Sequence, residues 1–596
     1  MKMSQMGLFD GAKKCEGLIT DYDKWHRIVN SESFSFDFET EGKEFPNVKP
    51  LGFSLAIKEE STYVPLVDIR NELPNFNQRD SFKLLKTCAQ SSQLKIAHNI
   101  PFDLRIFYDC GFEPKWPWFC TMIGAFVHDC TRHGLGLQEV CKRYNVGVAP
   151  DFSDFADKRT MSSFSVHDVG NYSIPHAEKT YSLYRLVKDG LICTRQYDAF
   201  VLDMKTVPSV IWMERCGVCI DDTKFDEIAN ITYKVQDELK QEILQELGVT
   251  INLDSGDQLA EVLYKQKGLK PLKFLEKSNR GSVDEDCLEY LVLQGFELAS
   301  KIIEYRGCSK VRSTYVDGMR ENIDNGRIHT SLSFTAARSG RFSSRSPNLQ
   351  NIPTFDTFGI RSMFVPSSGY RFSVSDYSQI EMRLAAILSG DDKLLEIYKG
   401  DGDIHTATCK AIFGKVTPAL RKVAKTINFA VGYGMGAPAL AVSLNTTVKK
   451  AEKYLNSFWG TYSGFRAWSD LQVSSSRHRG FTSTLGGRRR ILHDIDSKDF
   501  RSKSHDERVA SNHVVQGTAA EVLKMAQVAL HEHFKNTEVK MVLSVHDEVV
   551  LEAPKRDVEE VSMEQKRIME TVHDELEFNV PLLVETNIVD RWSDAK

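Results

Sequence analysis

The first strong pattern along the chain is an alternation. In FSFDFET, Phe34, Phe36 and Phe38 share one side of an extended segment, while Asp37 and Glu39 project from the other. Short apolar runs at Leu51–Ile57, Tyr63–Val67 and Lys95–Ala97 predict further strands, the last leading into a loop and a helix. Residues 120–190 read as mostly helical. A second helical region covers about 224–320 and is clearest in ITYKVQDELKQEILQEL, with Asn252–Ser255 predicted to cap the helix DQLAEVLYKQKG. Residues 330–390 mix extended and helical segments. Within them YRFSVSD ends at Asp376 and passes into a helix carrying Ile380, Leu384, Ile387 and Leu388. Residues 391–475 are helix-rich, and 538–553 read as strand, turn, strand with His546, Asp547 and Glu548 at the tip. The pattern predicts an α/β multidomain chain.

Composition narrows this picture. At roughly 100–200 residues per domain, 596 residues predict about three to five units, and 41% hydrophobic with 26% charged residues is ordinary for globular protein. No apolar run approaches the ~18 residues a membrane helix needs, so no membrane partner is expected. The start, MKMSQMGLFDGAKK, lacks the apolar core of a signal peptide. The 12 cysteines are scattered; Cys216 and Cys219 form one C-x-x-C with no second pair to complete a zinc site, which fits a reduced, cytoplasmic setting. A net charge of −5 argues weakly against a nucleic-acid partner. Locally the sign reverses. Residues 301–345 carry nine Lys/Arg against four Asp/Glu, and 477–508 carry nine against five. Several of those arginines stand beside Gly, Ser and Asn (SGRFSSRSPNLQN, LGGRRR), a composition suited to following a phosphate backbone.

Asp37 and Glu39 lie about 7 Å apart along one strand, close enough to hold a hard dication if other oxygens join them. Asp103, in KIAHNIPFDLR, stands at a predicted helix start, and Tyr172 lies in NYSIPHAEKTYSLY. Together these resemble the D-x-E, N-x-x-x-D and Y-x-x-x-D motifs of the 3′–5′ exonuclease domain of family A DNA polymerases. Asp37, Glu39, Asn99, Asp103 and Tyr172 match; the last carboxylate is replaced by His176. The resemblance implies two divalent ions, with Asp37, Glu39 and Asp103 as metal ligands. Imidazole suits Mn²⁺ or Zn²⁺ better than Mg²⁺, so weakened proofreading or a preference for Mn²⁺ is expected. An intact exonuclease and a purely structural domain stay open as alternatives. Glu178 cannot substitute, since two residues along a helix turn it ~200° away.

Three C-terminal segments carry more chemistry. Arg421, Lys425, Phe429 and Tyr433 recur every four residues in TPALRKVAKTINFAVGYG, between a Thr417-Pro418 start and a Gly434 stop. Two cations followed by two aromatics on one face suit a triphosphate at one end and a stacked base at the other. With DYSQIE and VHDE, this stripe resembles the A, B and C motifs of family A DNA polymerases. The likeness runs from about residue 200 to the C-terminus, and includes EYRGCSKVRSTY, DIHTATCKAIFG and VVQGTAAEVLK.

The resemblance implies the following roles. Asp376 and Asp547 would bind two Mg²⁺ ions, with Glu548 supporting and Lys425 a candidate proton donor. Tyr377, Gln379, Ile380, Glu381, His405, Arg421, Lys425, Phe429 and Tyr433 would surround the incoming dNTP, Glu381 in the space of a ribose 2′-OH. Arg306, Lys310, Arg341, Asn348, Gln350, Arg489, Asn512, Gln516 and His546 would track the primer–template DNA. A single-subunit RNA polymerase would not need Glu381, and a non-catalytic processivity subunit would not need Asp376 and Asp547.

The expected fold is a ribonuclease H-like exonuclease domain followed by a right-hand polymerase. Its units would be 1–192 (exonuclease-like), 193–330 (first palm segment and helical thumb), 331–390 (palm), 391–505 (fingers) and 506–596 (palm). DFET lies so near the start that no 5′-nuclease domain is expected ahead of it. A monomer of a bacterial cell or phage-infected host is expected, with a helicase or primase as further partners and salt-sensitive DNA binding.

Overall fold

The computed structural model describes residues 22–595 apart from positions 43, 44, 46, 69, 71, 72, 74–76, 152–159, 276, 277, 354–357, 401 and 433. Tyr433 therefore lies outside the described residues.

The alternating FSFDFET segment becomes the central strand of the first sheet. That strand, β1 (Ser33–Glu41), pairs antiparallel with β2 (Lys49–Ala56), which pairs with β3 (Ser61–Pro65). On its other side β1 runs parallel to β4 (Leu94–Ala97), and β4 to β5 (Trp118–Cys120), giving the order β3-β2-β1-β4-β5. Phe36 and Phe38 pack against Phe53 and Phe107, with Trp118 at the edge of Phe36, which holds the apolar side of β1 in the core. The acidic side faces the long α3 (Val166–Cys193), while α1 (Ile100–Asp109) brings Phe107 to the apolar side and α2 (Thr121–His128) packs on α3. Ser35 and Ser54 clamp α3 to the sheet by donating to the carbonyls of Ala177 and Ser173, at 2.7 and 3.1 Å.

Helix α4 (Tyr197–Cys216) leads out of this domain and packs along the palm. Its Asp203 is fully buried and accepts from two buried cations, Arg488 Nη2 at 2.7 Å and Lys524 Nζ at 2.6 Å. Next come β6 (Val218–Ile220) and α5 (Asp222–Leu247), capped by the Asp221 carboxylate accepting from the Lys224 amide. Helix α5 packs on α6 (Leu298–Val311) over an aliphatic core. The expected cap between them is Ser255, whose hydroxyl accepts from the Gln258 amide at 3.4 Å. At the C-x-x-C, Arg327 Nη1 contacts Cys219 Sγ at 2.8 Å while its Nε donates to the Cys216 carbonyl.

Two short strands, β7 (Ser331–Ser333) and β8 (Ser343–Arg345), precede the palm sheet. The palm sheet holds β9 (Tyr370–Tyr377), β12 (Lys540–Val545), β13 (Glu548–Pro554) and β14 (Val584–Val589), antiparallel throughout in the order β12-β13-β9-β14. After β9 come the helices α7 (Ile380–Ser389), α8 (Ile404–Phe413), α9 (Pro418–Gly432), α10 (Val448–Thr461) and α11 (Ser463–Arg479), the last four within the span expected to form the fingers. A hairpin of β10 (Phe481–Ser483) and β11 (Arg489–Ile491) leads to α12 (Phe500–Phe534), which crosses the expected fingers–palm boundary at 505 unbroken. Helix α13 (Val558–Thr571) covers the back of the palm sheet. No helix among the described residues is long and apolar enough to cross a membrane.

Candidate active site

Asp376 stands one residue before the end of β9, level with Glu548 on β13 and Glu585 on β14. The chain between β12 and β13 turns through His546, which is left-handed (φ 54°), and Asp547. The Tyr377 amide donates to the Asp547 carbonyl at 3.2 Å, which docks this turn against the end of β9. Two carboxylates are thus fixed side by side by main-chain geometry. Burial pushes the Asp547 carboxyl up; Arg341 opposes this and Asp376 adds to it. Arg341 Nη2 reaches Asp547 Oδ1 at 3.2 Å and Glu381 Oε1 at 2.7 Å. Glu381 is itself raised, by burial first, with Arg341 opposing and Asp547 reinforcing. An all-oxygen pair on a rigid strand end and turn fits a hard dication.

Not every residue expected here faces the cleft. The Tyr377 side chain is buried and its hydroxyl donates to the Met569 carbonyl at 2.6 Å, so only its main chain meets the site. Ile380 is buried too, and Gln379 Oε1 accepts from Tyr398. Glu548 is 2% exposed and turned inward, accepting from Trp592 Nε1 at 2.7 Å, with Arg361 stacked on that indole. These four placements share a cause: residues at strand ends and the junctions beside them turn toward cleft or core according to packing that local sequence does not show.

Helix α9 presents Arg421, Lys425 and Phe429 outward, with Phe429 45% exposed. Its C-terminal end reaches the palm, where a Cβ on Gly432 would lie 3.6 Å from Glu381 Oε2. Lys425 Nζ sits 5.7 Å from the Phe429 ring centroid. His405 on α8 packs beside Phe429, and its Nδ1 lies 2.8 Å from Asn428 Nδ2. Burial holds His405 below the usual imidazole range, helped by Lys425 and Arg421 and opposed by Asp403. Two supporting residues escaped the sequence reading. Asp403 caps α8 and grips Arg421 (Nη2 at 2.7 Å, Nε at 2.8 Å), and buried Asn428 also accepts from Thr408 at 2.9 Å. A polar Asn on the apolar side of α9 was a readable signal for the second.

The expected DNA-facing residues spread over several elements. Lys310 is exposed on α6, whereas Arg306 is tied to the Val283 carbonyl. Asn348 Oδ1 accepts from the Gln350 amide at 3.1 Å, and Gln350, Arg341 and His546 line one small cavity. Arg489 stacks 4.0 Å over Phe481. Asn512 and Gln516 lie half-buried on α12. Gly434 (φ +64°) sits in the left-handed region that favours glycine, and a Cβ there would have to displace the Asn512 amide, 2.1 Å away at Nδ2.

The second cluster lies on β1. Asp37, Glu39 and His176 offer ligand atoms all within 4.8 Å of one another. His176 Nδ1 is 3.6 Å from Glu39 Oε1 and 3.9 Å from Asp37 Oδ2. Asp103, on α1, is buried beside them and accepts from the Phe38 amide at 3.3 Å; burial, then Asp37, raises its pKa. Burial, reinforced by Glu39 and opposed by His176, pushes Asp37 up to about 8. Burial works against a charged His176, but Glu39 and Asp37 carry it up to about 9. The Tyr172 ring meets the His176 imidazole edge-on at 4.4 Å. Asn99 is left-handed (φ 68°) at the start of α1 and makes no side-chain cap. Glu178 faces elsewhere, accepting from Ser61 at 2.6 Å.

The architecture is a right-hand polymerase fold with a ribonuclease H-like domain ahead of its palm. Residues 223–594 match the model of DNA polymerase family A, and 20–189 match that of a 3′-5′ exonuclease; the chain belongs to DNA polymerase family A. It is 31% identical over 583 residues to DNA polymerase I of Borreliella burgdorferi, covering 95% of this chain and 63% of that protein. To DNA polymerase I of Pseudomonas aeruginosa it is 32% identical over 596 residues (96% and 65%), and to the thermostable DNA polymerase I of Thermus aquaticus 38% over 392 (64% and 47%). The chain thus spans less than two thirds of these relatives' own lengths. Its fold is shared by the polymerase domain of Pol1 from M. smegmatis, solved in complex with DNA primer-template and dNTP (TM-score 0.84, 23% identity, 97% of this chain and 100% of that one). Both matched families are divalent-metal dependent.

Proposed function

We propose that this chain is a DNA-directed DNA polymerase that adds dNTPs to a primer 3′-OH opposite a template. The observation that carries the reading is the docking of the Asp547 turn against the end of β9 that holds Asp376, with Arg341 bridging Asp547 to Glu381 and Glu381 lying beside Gly432 at the C-terminal end of α9. Asp376 and Asp547 would hold two Mg²⁺ ions, which supply charge to the attacking hydroxyl and to the leaving pyrophosphate.

The remaining work falls to side chains. Arg421 and Lys425 bind the phosphates, with His405 beside them, and Lys425 donates a proton to the departing pyrophosphate. Asp403 keeps the Arg421 guanidinium aimed while no nucleotide is present. Phe429 stacks on the incoming base. Arg341, Asn348, Gln350, Arg489, Asn512, Gln516 and His546 follow the primer–template, whose minor groove offers acceptors common to every correct pair. Arg341 must exchange its carboxylate partners for the primer end, so an occupied duplex site and a released Asp547 go together. Primer extension by the full chain on a DNA template, with dNTPs or rNTPs, is the test. Template-directed extension by dNTPs is expected, and its absence would sink the reading.

Glu381 fills the space of a 2′-OH. Glu381→Ala should raise ribonucleotide incorporation about 10- to 100-fold. Phe429→Tyr should admit dideoxynucleotides, because a phenol supplies the hydroxyl that the terminator lacks. Single-turnover incorporation ratios measure both, and unchanged ratios would remove these two side chains from sugar selection.

A further inference from the structure

The β1 cluster differs from an all-carboxylate site in one donor, and its geometry says how that donor is used. His176 Nε2 lies 2.9 Å from the Pro150 carbonyl. A carbonyl only accepts, so Nε2 carries a proton and Nδ1 is the ring nitrogen turned inward. That nitrogen faces two carboxylates at 3.6 and 3.9 Å. The three donors need positive charge between them, which is either a second proton on Nδ1 or a metal ion that displaces it. Glu39 is 6% exposed, and its Oε1 has no hydrogen-bond partner among the described residues although it is aimed into this gap. Both separations fall within the ~4.2 Å that two bonds of ~2.1 Å can span. The Pro150 carbonyl fixes the ring and raises its basicity, as backbone acceptors do for metal-bound histidines.

We propose that Asp37, Glu39 and His176 form a single transition-metal site that takes Zn²⁺ or Co²⁺ in preference to Mg²⁺. The hardness of Mg²⁺ disfavours an imidazole ligand, whereas one nitrogen and two carboxylate oxygens suit a borderline dication and leave coordination positions open. The inference rests on the exonuclease reading for what such a site would act upon, but not for the metal itself.

The test is titration of the full chain with Co²⁺ in excess Mg²⁺, read as visible d–d absorption. Wild-type protein should take up one equivalent with nitrogen-bearing character, and Zn²⁺ should displace it. His176→Ala should weaken that binding by at least about 10-fold. His176→Asp, which keeps a ligand in place and guards against loss of fold, should erase the preference over Mg²⁺. The proposal is overturned if Co²⁺ fails to bind, if His176→Ala leaves the spectrum unchanged, or if Mg²⁺ at equal concentration displaces Co²⁺. Should the Co²⁺ band require His176 while no 3′ single-stranded end is cut in any metal, the site stands and the exonuclease reading falls.

Discussion

Alanine at Asp376 or Asp547 is expected to lower primer extension on the order of 10⁴-fold, since each removes one of two groups that act as a unit. The two variants should part company in DNA binding. Asp547 is an ion-pair partner of Arg341 at 3.2 Å, so Asp547→Ala removes one of the acids that draw that guanidinium away from the primer end. Asp376→Ala leaves the Arg341 pairings in place. Binding of a labelled primer–template, followed by anisotropy, should therefore hold or tighten for Asp547→Ala while its extension collapses. Extension surviving Asp376→Ala within 10-fold of wild type would remove that carboxylate from the chemistry.

The second large effect concerns stability. Asp203 is the shared counter-ion of Arg488 and Lys524, and all three side chains are buried. Burial holds Lys524 down to about 8 even with Asp203 bonded to it and Glu521 adding a weaker attraction, so the ammonium depends chiefly on Asp203. Asp203→Ala leaves two cations in the interior, with Glu521 at 3.9 Å as the remaining acid near Arg488. Removing one side of a buried pair costs about 3–5 kcal/mol, and urea unfolding should show a loss of that order. An unchanged midpoint would mean that water reaches these cations.

Much of this was legible in the residues themselves. The alternation of Phe34, Phe36 and Phe38 with Asp37 and Glu39 specifies a strand with one apolar and one polar side, and period two leaves little freedom about it. The four-residue spacing of Arg421, Lys425 and Phe429 likewise specifies one helical face. What stayed hidden depends on long-range packing. Glu548 and Tyr377 adjoin residues that face the cleft, yet they turn toward Trp592 and Met569, which come from distant segments. Asp203 sits in a helix whose sequence carries no mark of a buried ion pair, because its partners lie 285 and 321 residues away. The Arg341 bridge joins three segments for the same reason.

The palm sheet places β9 beside β13, although residues 378–547 intervene in the chain. That long excursion behaves thermodynamically as one closed loop. The entropy of closing a loop grows only with the logarithm of its length, at about 0.6 kcal/mol per doubling. Separation along the chain between the two acids is therefore nearly free to drift. A Gly/Ser insert of about ten residues after exposed Asn445 should therefore keep the acids in register and leave the unfolding midpoint within error. A shifted midpoint would show that the excursion's length is tied to the sheet after all.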